Sequence, residues 1–168
     1  MILAVDVHYY GNRATVAGVM FEHCAAQRVR ASYVSRVDQV GQYVPGQFYR
    51  RELPCILKLI SEHRLTPATI IVDGYVDLDG RSRPGLGRYL YEALQHRVPV
   101  IGVAKKPFHG IADQFRLYRG DSDKPLFVTC AGLAIDEARR CVSAMHGKHR
   151  IPTLLRAVDR LSRNAKYE

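Results

Sequence analysis

The sequence predicts an α/β protein: one mixed sheet with helices on both faces. Two observations predict it. The first forty residues contain three strand-like segments joined only by turns, which makes an antiparallel meander. After that the pattern alternates. Helical periods separate two apolar runs, Thr69–Asp73 and Val98–Val103, that are continuous enough to be buried on both faces, as parallel strands are.

Each element has its own signal. Residues 1–7 are apolar on both faces. Asn12–Phe21 follows the Tyr10-Gly11-Asn12 turn, and Gln27–Val37 alternates polar with apolar. Residues 38–47 form a loop, marked by Pro45-Gly46. From Phe48 to His63 the period becomes helical, with Leu53, Ile56, Leu57 and Ile60 on one face. Pro54 is best tolerated in a first turn, so a helix start near Arg51 or Glu52 is expected. The strand Thr69–Asp73 leads into a loop, 74–84, and a helix over Gly85–His96 precedes the strand Val98–Val103. Phe115–Tyr118 and Leu126–Cys130 form a hairpin around Gly120-Asp121-Ser122-Asp123. Ile135–Met145 and Pro152–Arg163 are the closing helices; Ile135, Ala138, Val142 and Met145 share a face. No repeat or linker interrupts residues 1–168, which read as a single domain.

The chain carries 25 Lys+Arg against 16 Asp+Glu, a formal charge of +9. That balance favours a polyanionic partner, nucleic acid first. Cys24, Cys55, Cys130 and Cys141 show no zinc-ligand spacing, and Cys55 and Cys141 read as small buried hydrophobes in helices. No leader and no membrane-length apolar run is visible, so a reduced, cytoplasmic setting and a monomer with no membrane partner are the default expectations.

Against this basic background three acids stand out. Asp6 closes Ile2-Leu3-Ala4-Val5, Asp73 closes Ile70-Ile71-Val72, and Glu52 begins the first helix. A carboxylate at a strand end is held rigidly while its oxygens reach solvent. If the two strands are neighbours, Asp6 and Asp73 lie side by side and Glu52 faces the same crevice. This is the ribonuclease H arrangement of acids. Such an oxygen-only site suits Mg²⁺ or Mn²⁺ and in-line displacement at a phosphodiester.

Local words sharpen the expectation. Ala4-Val5-Asp6-Val7, Tyr43-Val44-Pro45-Gly46 followed by Arg51-Glu52, Val72-Asp73-Gly74, Arg83-Pro84-Gly85-Leu86-Gly87 and Pro99-Val100-Ile101-Gly102-Val103-Ala104-Lys105 occur in that order. With Pro125-Leu126-Phe127-Val128-Thr129 and His149-Arg150-Ile151-Pro152, the set resembles the endonuclease V family over nearly the whole chain. The resemblance implies a ribonuclease H-like fold, Mg²⁺ or Mn²⁺ as cofactor, and cutting of DNA or RNA on the 3′ side of a deaminated purine such as inosine. It implies Asp6, Glu52 and Asp73 as metal-binding acids and Lys105 near the scissile phosphate. Tyr43 and Pro45 match the wedge that separates strands beside the lesion. Unstacking a base step costs a few kcal/mol, and a flat ring on a Pro-Gly loop can fill the gap. Gly46 and Gly74 would let backbone N–H groups approach a flipped base, and Arg51, Arg83, Lys105 and Lys106 would meet phosphates.

The chain also departs from the pattern. Where the family carries Gly-His after the strand matching Leu126–Cys130, this sequence reads Cys130-Ala131-Gly132-Leu133-Ala134-Ile135-Asp136. Asp136, heading the next helix, is the candidate replacement as metal ligand, the alternative being an acid that only favours the positive helix N-terminus. Gly87-Arg88-Tyr89 stands where a His is common in the family, and the segment preceding the first strand in other members has no counterpart here. Two outcomes stay open: a metal-dependent endonuclease, or a nucleic-acid-binding module of the same fold that does not cut or has altered specificity.

Overall fold

A computed structural model describes residues 1–165. Three strands open the fold: β1 (Ile2–Tyr10), β2 (Arg13–Phe21) and β3 (Ala31–Val37). They form the predicted antiparallel meander. Helix α1 (Tyr49–Glu62), strand β4 (Thr69–Asp73), helix α2 (Leu86–Ala93) and strand β5 (Val100–Ala104) supply the alternating part. A short 3₁₀ turn, Asp113–Phe115, leads into β6 (Arg116–Leu117); β7 (Leu126–Ala131), α3 (Ile135–Ala144) and α4 (Thr153–Asn164) follow. The seven strands are ordered β3-β2-β1-β4-β5-β7-β6 in one mixed sheet. β1, β4 and β5 run parallel, and β7 runs against β5.

Side-chain alternation sorts the core into two layers. Ile2 and Ala4 of β1 join Ile71, Val103 and Val128 under α3 and α4. Leu3 and Val5 join Ile70, Val72 and Val100 under α1 and α2. Both faces of the sheet are thereby covered, which explains why β4 and β5 are apolar throughout. Gly102 in β5 has no room for a side chain. A Cβ there would lie 2.5 Å from the Gly74 carbonyl oxygen, so the chain leaving β4 folds tightly over β5.

Among the differences from expectation are two element boundaries and one cysteine. β1 does not stop at Asp6: its hairpin with β2 carries it on to Tyr10. α1 begins at Tyr49, earlier than Pro54 predicted. Backbone bonds from Arg50 N–H to the Gln47 carbonyl and from Arg51 N–H to the Phe48 carbonyl close its first turn, so the helix absorbs one missing donor at Pro54. Cys141 is not a free buried thiol. It is bonded to Cys24, 117 residues away, joining α3 to the turn after β2 with Cα atoms 5.2 Å apart. Among the described residues, no helix is long and apolar enough to cross a membrane.

Candidate active site

The site is built where the parallel ladder ends. Ile2–Val5 of β1 pair in register with Thr69–Val72 of β4. One residue beyond that ladder stand Asp6 and Asp73, on the same face as Ala4 and Ile71 and toward α4. They line one narrow crevice with Lys105, Leu155, Val158 and Asp159. Glu52 comes from α1, on the opposite layer, and is only 6% exposed.

The electrostatics show how these acids are held. Burial pushes the Asp6 carboxyl up to about 6. A bond from Ser162 opposes the rise, and the nearby charges of Asp73 and Asp159 add to it. Ser162 Oγ donates to Asp6 Oδ2 at 2.7 Å and lies 2.8 Å from the Asp159 carbonyl oxygen. Glu52 is held well above the ordinary carboxylate range, first by burial and then by Asp6 and Asp73, with Arg51 opposing. Asp159 is held below its ordinary value. Burial works against this, and is outweighed by the bond from Arg163 (2.9 Å), by Lys105 and by a hydrogen bond with Asp6. Lys105 Nζ lies 3.4 Å from Asp73 Oδ2.

These residues supply the chemistry of a hard-cation site. All donors are carboxylate oxygens, and their mutual repulsion is what a bound divalent cation would relieve. Among the described residues, no three acidic, His or Cys side chains are already gathered closely enough to enclose an ion. The fit is therefore one of donor chemistry and location rather than of a preformed cage.

Asp136 does not join this set. The antiparallel register places Ala131, at the end of β7, opposite Val100, whereas the crevice lies past Ala104 at the other end of β5. The segment after β7 therefore emerges at the wrong end of the sheet, and Asp136 stands exposed on the first turn of α3. For the same reason, a missing His in Ala131–Asp136 leaves the acid set untouched. The carboxylate that does reach the crevice from a late helix is Asp159, which the sequence reading missed. Its signal was present: with Leu155 four residues before and Ser162 three after, it is an acid on the inward face of an amphipathic helix.

Beside the crevice, and sharing Asp73 and Lys105 with it, lies a cavity of about 480 Å³. Gly46, Phe48, Tyr49, Gly74, Tyr75 and Lys106 are among its lining residues. Gly74 adopts φ +141, a conformation side chains disfavour, as the chain turns away from Asp73. Asp79 shapes the far wall by accepting the backbone N–H groups of Arg81, Ser82 and Arg83. Those bonds hold its carboxyl far below the usual range. Tyr75 Oη donates to the Lys106 carbonyl (2.6 Å) and accepts from Phe108 N–H (3.0 Å), which fixes the loop carrying Lys105. Tyr43 is 60% exposed on the 38–47 loop, next to Val44, Pro45 and Gly46. The Arg51 guanidinium lies 4.0 Å over the Tyr9 ring, with its Nε buried. Arg83 is exposed, 5.3 Å over the Phe108 ring. Arg88 is committed to Asp77 through two bonds of 3.1 and 2.8 Å.

A mixed sheet ordered in this way, with carboxylates just past the end of the parallel β1–β4 ladder, has the ribonuclease H-like fold. Comparison with known proteins narrows the class. The sequence model of the family "Endonuclease V" matches residues 1–124, and this chain belongs to that family. The endonuclease V of Streptomyces avermitilis is 31% identical over 189 residues, covering 99% of this chain and 81% of that protein. Its crystal structure superposes with a TM-score of 0.79 at 29% identity, over 98% of this chain and 80% of that one. Endonuclease V from Ciona intestinalis, solved with a 24mer DNA containing an inosine followed by a ribo-adenosine, shares the fold. Its TM-score is 0.77 at 20% identity, over 96% of this chain and 83% of that one.

Proposed function

We propose that this chain is a divalent-metal-dependent endonuclease that hydrolyses a phosphodiester on the 3′ side of a deaminated purine, inosine first, in DNA or RNA. The observation that carries the reading is the in-register end of the β1–β4 ladder. It sets Asp6 beside Asp73 in one crevice with Lys105, and Asp73 and Lys105 also line the 480 Å³ cavity. Family membership supports the reaction class, and the inosine-containing DNA bound by the Ciona relative supports the substrate.

Asp6, Asp73 and Asp159, with Glu52 from the other layer, would hold Mg²⁺ or Mn²⁺. When bound, the cation supplies a Lewis acid for the phosphate and lowers the pKa of water. The chain's own residues do the rest. Lys105 places positive charge where charge builds on the phosphate oxygens. Ser162 orients Asp6 by donating to one of its oxygens. Tyr43, exposed beside Pro45, fills the step left by the displaced base. The cavity bounded by Gly46, Gly74 and Tyr75 receives that base, against backbone groups and ring faces.

The test is cutting of inosine-containing DNA and RNA oligonucleotides with Mg²⁺, with Mn²⁺ and with EDTA. The reading expects cutting with either metal, none in EDTA, and loss of cutting in Asp73→Ala. Cutting that survives Asp73→Ala would overturn it. Salt-sensitive binding without cutting would favour the non-catalytic module.

A further inference from the structure

Lys105 borders a third space. Beyond the crevice and the cavity it also lines a groove of about 540 Å³ on the side of the β6–β7 hairpin. The walls are cationic: Lys106, Arg116 and Lys124 are exposed there, with Asp113 paired to Arg116 at 3.4 Å. Arg150 fastens the walls together, its guanidinium donating to the carbonyls of Lys105 and Pro125. Arg119 anchors the hairpin from behind, donating to the carbonyls of Met145 and His149. At the mouth stands Tyr118, 57% exposed on a hairpin whose neighbouring positions Leu117 and Leu126 are buried. Packing does not require an exposed ring there.

We propose that this groove is a strand-binding subsite for a single nucleic-acid strand leaving the catalytic crevice past Lys105. Lys106, Arg116 and Lys124 neutralise successive phosphates, and Tyr118 stacks on a base. The inference rests on the nuclease reading, because that reading puts a phosphate beside Lys105. Three features select the occupant. The groove is continuous with the crevice through one residue. Its charge is opposite to that of a phosphate backbone. Its aromatic ring needs an exposed base face, which a single strand offers and a duplex hides. Arg150 acts as a positioning residue: it keeps the Lys105 loop and the start of β7 at a fixed spacing.

The experiment uses inosine-containing single strands lengthened one nucleotide at a time on either side of the lesion. Binding is followed by fluorescence anisotropy in Ca²⁺ or EDTA, and cutting in Mg²⁺. For the wild type, affinity and kcat/KM should rise with length on one side only and then level off. Stacking of this kind is worth about tenfold or more in affinity. Tyr118→Ala should lower the long-to-short ratio by about tenfold, the share of the stacked base, and Tyr118→Phe should restore it. Lys124→Ala should flatten the salt dependence by about 0.7 in log–log slope, as expected for one lost phosphate contact on a single strand. The proposal falls if length on neither side matters, or if Tyr118→Ala keeps the full length gain. Binding that gains with length through Tyr118 but is never followed by cutting would keep the groove and sink the nuclease reading. Cutting with no length gain would do the reverse.

Discussion

Two buried acids of this molecule have opposite surroundings. Asp77 is 5% exposed and Arg88 grips both of its oxygens, so its charge is neutralised inside the protein. Glu52 is 6% exposed and faces Asp6 and Asp73, so its neighbours repel the charge it would carry. A buried carboxylate with a fixed cation organises structure. A buried carboxylate among other carboxylates is costly to the fold and needs a partner from outside. The comparison separates the loop-shaping part of the protein from its working part.

The largest way to break the comparison is through activity. Asp6→Asn and Asp159→Asn should each lower cutting of inosine-containing strands by about a thousandfold, the loss of several kcal/mol of charge stabilisation. Asp136→Asn should leave the rate within about twofold of wild type. Single-turnover rates in Mg²⁺ decide both. A severe loss in Asp136→Asn would contradict the register argument that puts it at the far end of β5.

Stability should respond with opposite signs at the two acids. Arg88→Ala leaves Asp77 buried without its partner and should cost about 3–5 kcal/mol in urea unfolding. Glu52→Gln removes an uncompensated charge and should stabilise the metal-free protein by about 1–2 kcal/mol while abolishing cutting. Loss of stability in Glu52→Gln would mean that Glu52 is compensated within the chain.

A smaller effect is expected with pH. The Asp6 carboxyl is raised from 3.8 to about 6, so the folded state binds its proton more tightly than the unfolded state. That contribution is fully present below the unfolded value and is lost as pH rises through about 6. In EDTA, the wild type should therefore lose stability relative to Asp6→Asn between about pH 4 and pH 6, by about 2–3 kcal/mol, with little further change above. Parallel curves for the two proteins would show that Asp6 carries no such penalty.

The sequence made the sheet and half of the site legible because those signals are local. Apolar runs located β1, β4 and β5, and an acid at the end of each of the first two runs marked one end of the central strands. β1 proved longer than its run because hairpin pairing with β2 continues past the point where β4 stops. What stayed hidden depends on contacts between distant segments. Asp159 counts as a site residue only once α4 lies over β1, and Asp136 is excluded only once β7 is known to run against β5. The Cys24–Cys141 bond spans 117 residues, which no spacing rule covers. Lys105 was marked by its place after β5, but its position at the meeting point of three cavities is a property of the folded loops.

The central claim is that the acids at this end of the sheet bind a divalent cation. Its most direct test is a Mn²⁺ titration of thermal stability at pH 7.5, comparing the wild type with Asp6→Asn. A ligand at a hundred times its Kd adds about 2.7 kcal/mol to the folded state. The wild-type midpoint should climb with Mn²⁺ and saturate, and Asp6→Asn should stay flat. A wild-type midpoint that ignores Mn²⁺, or an equal rise in Asp6→Asn, would contradict the account.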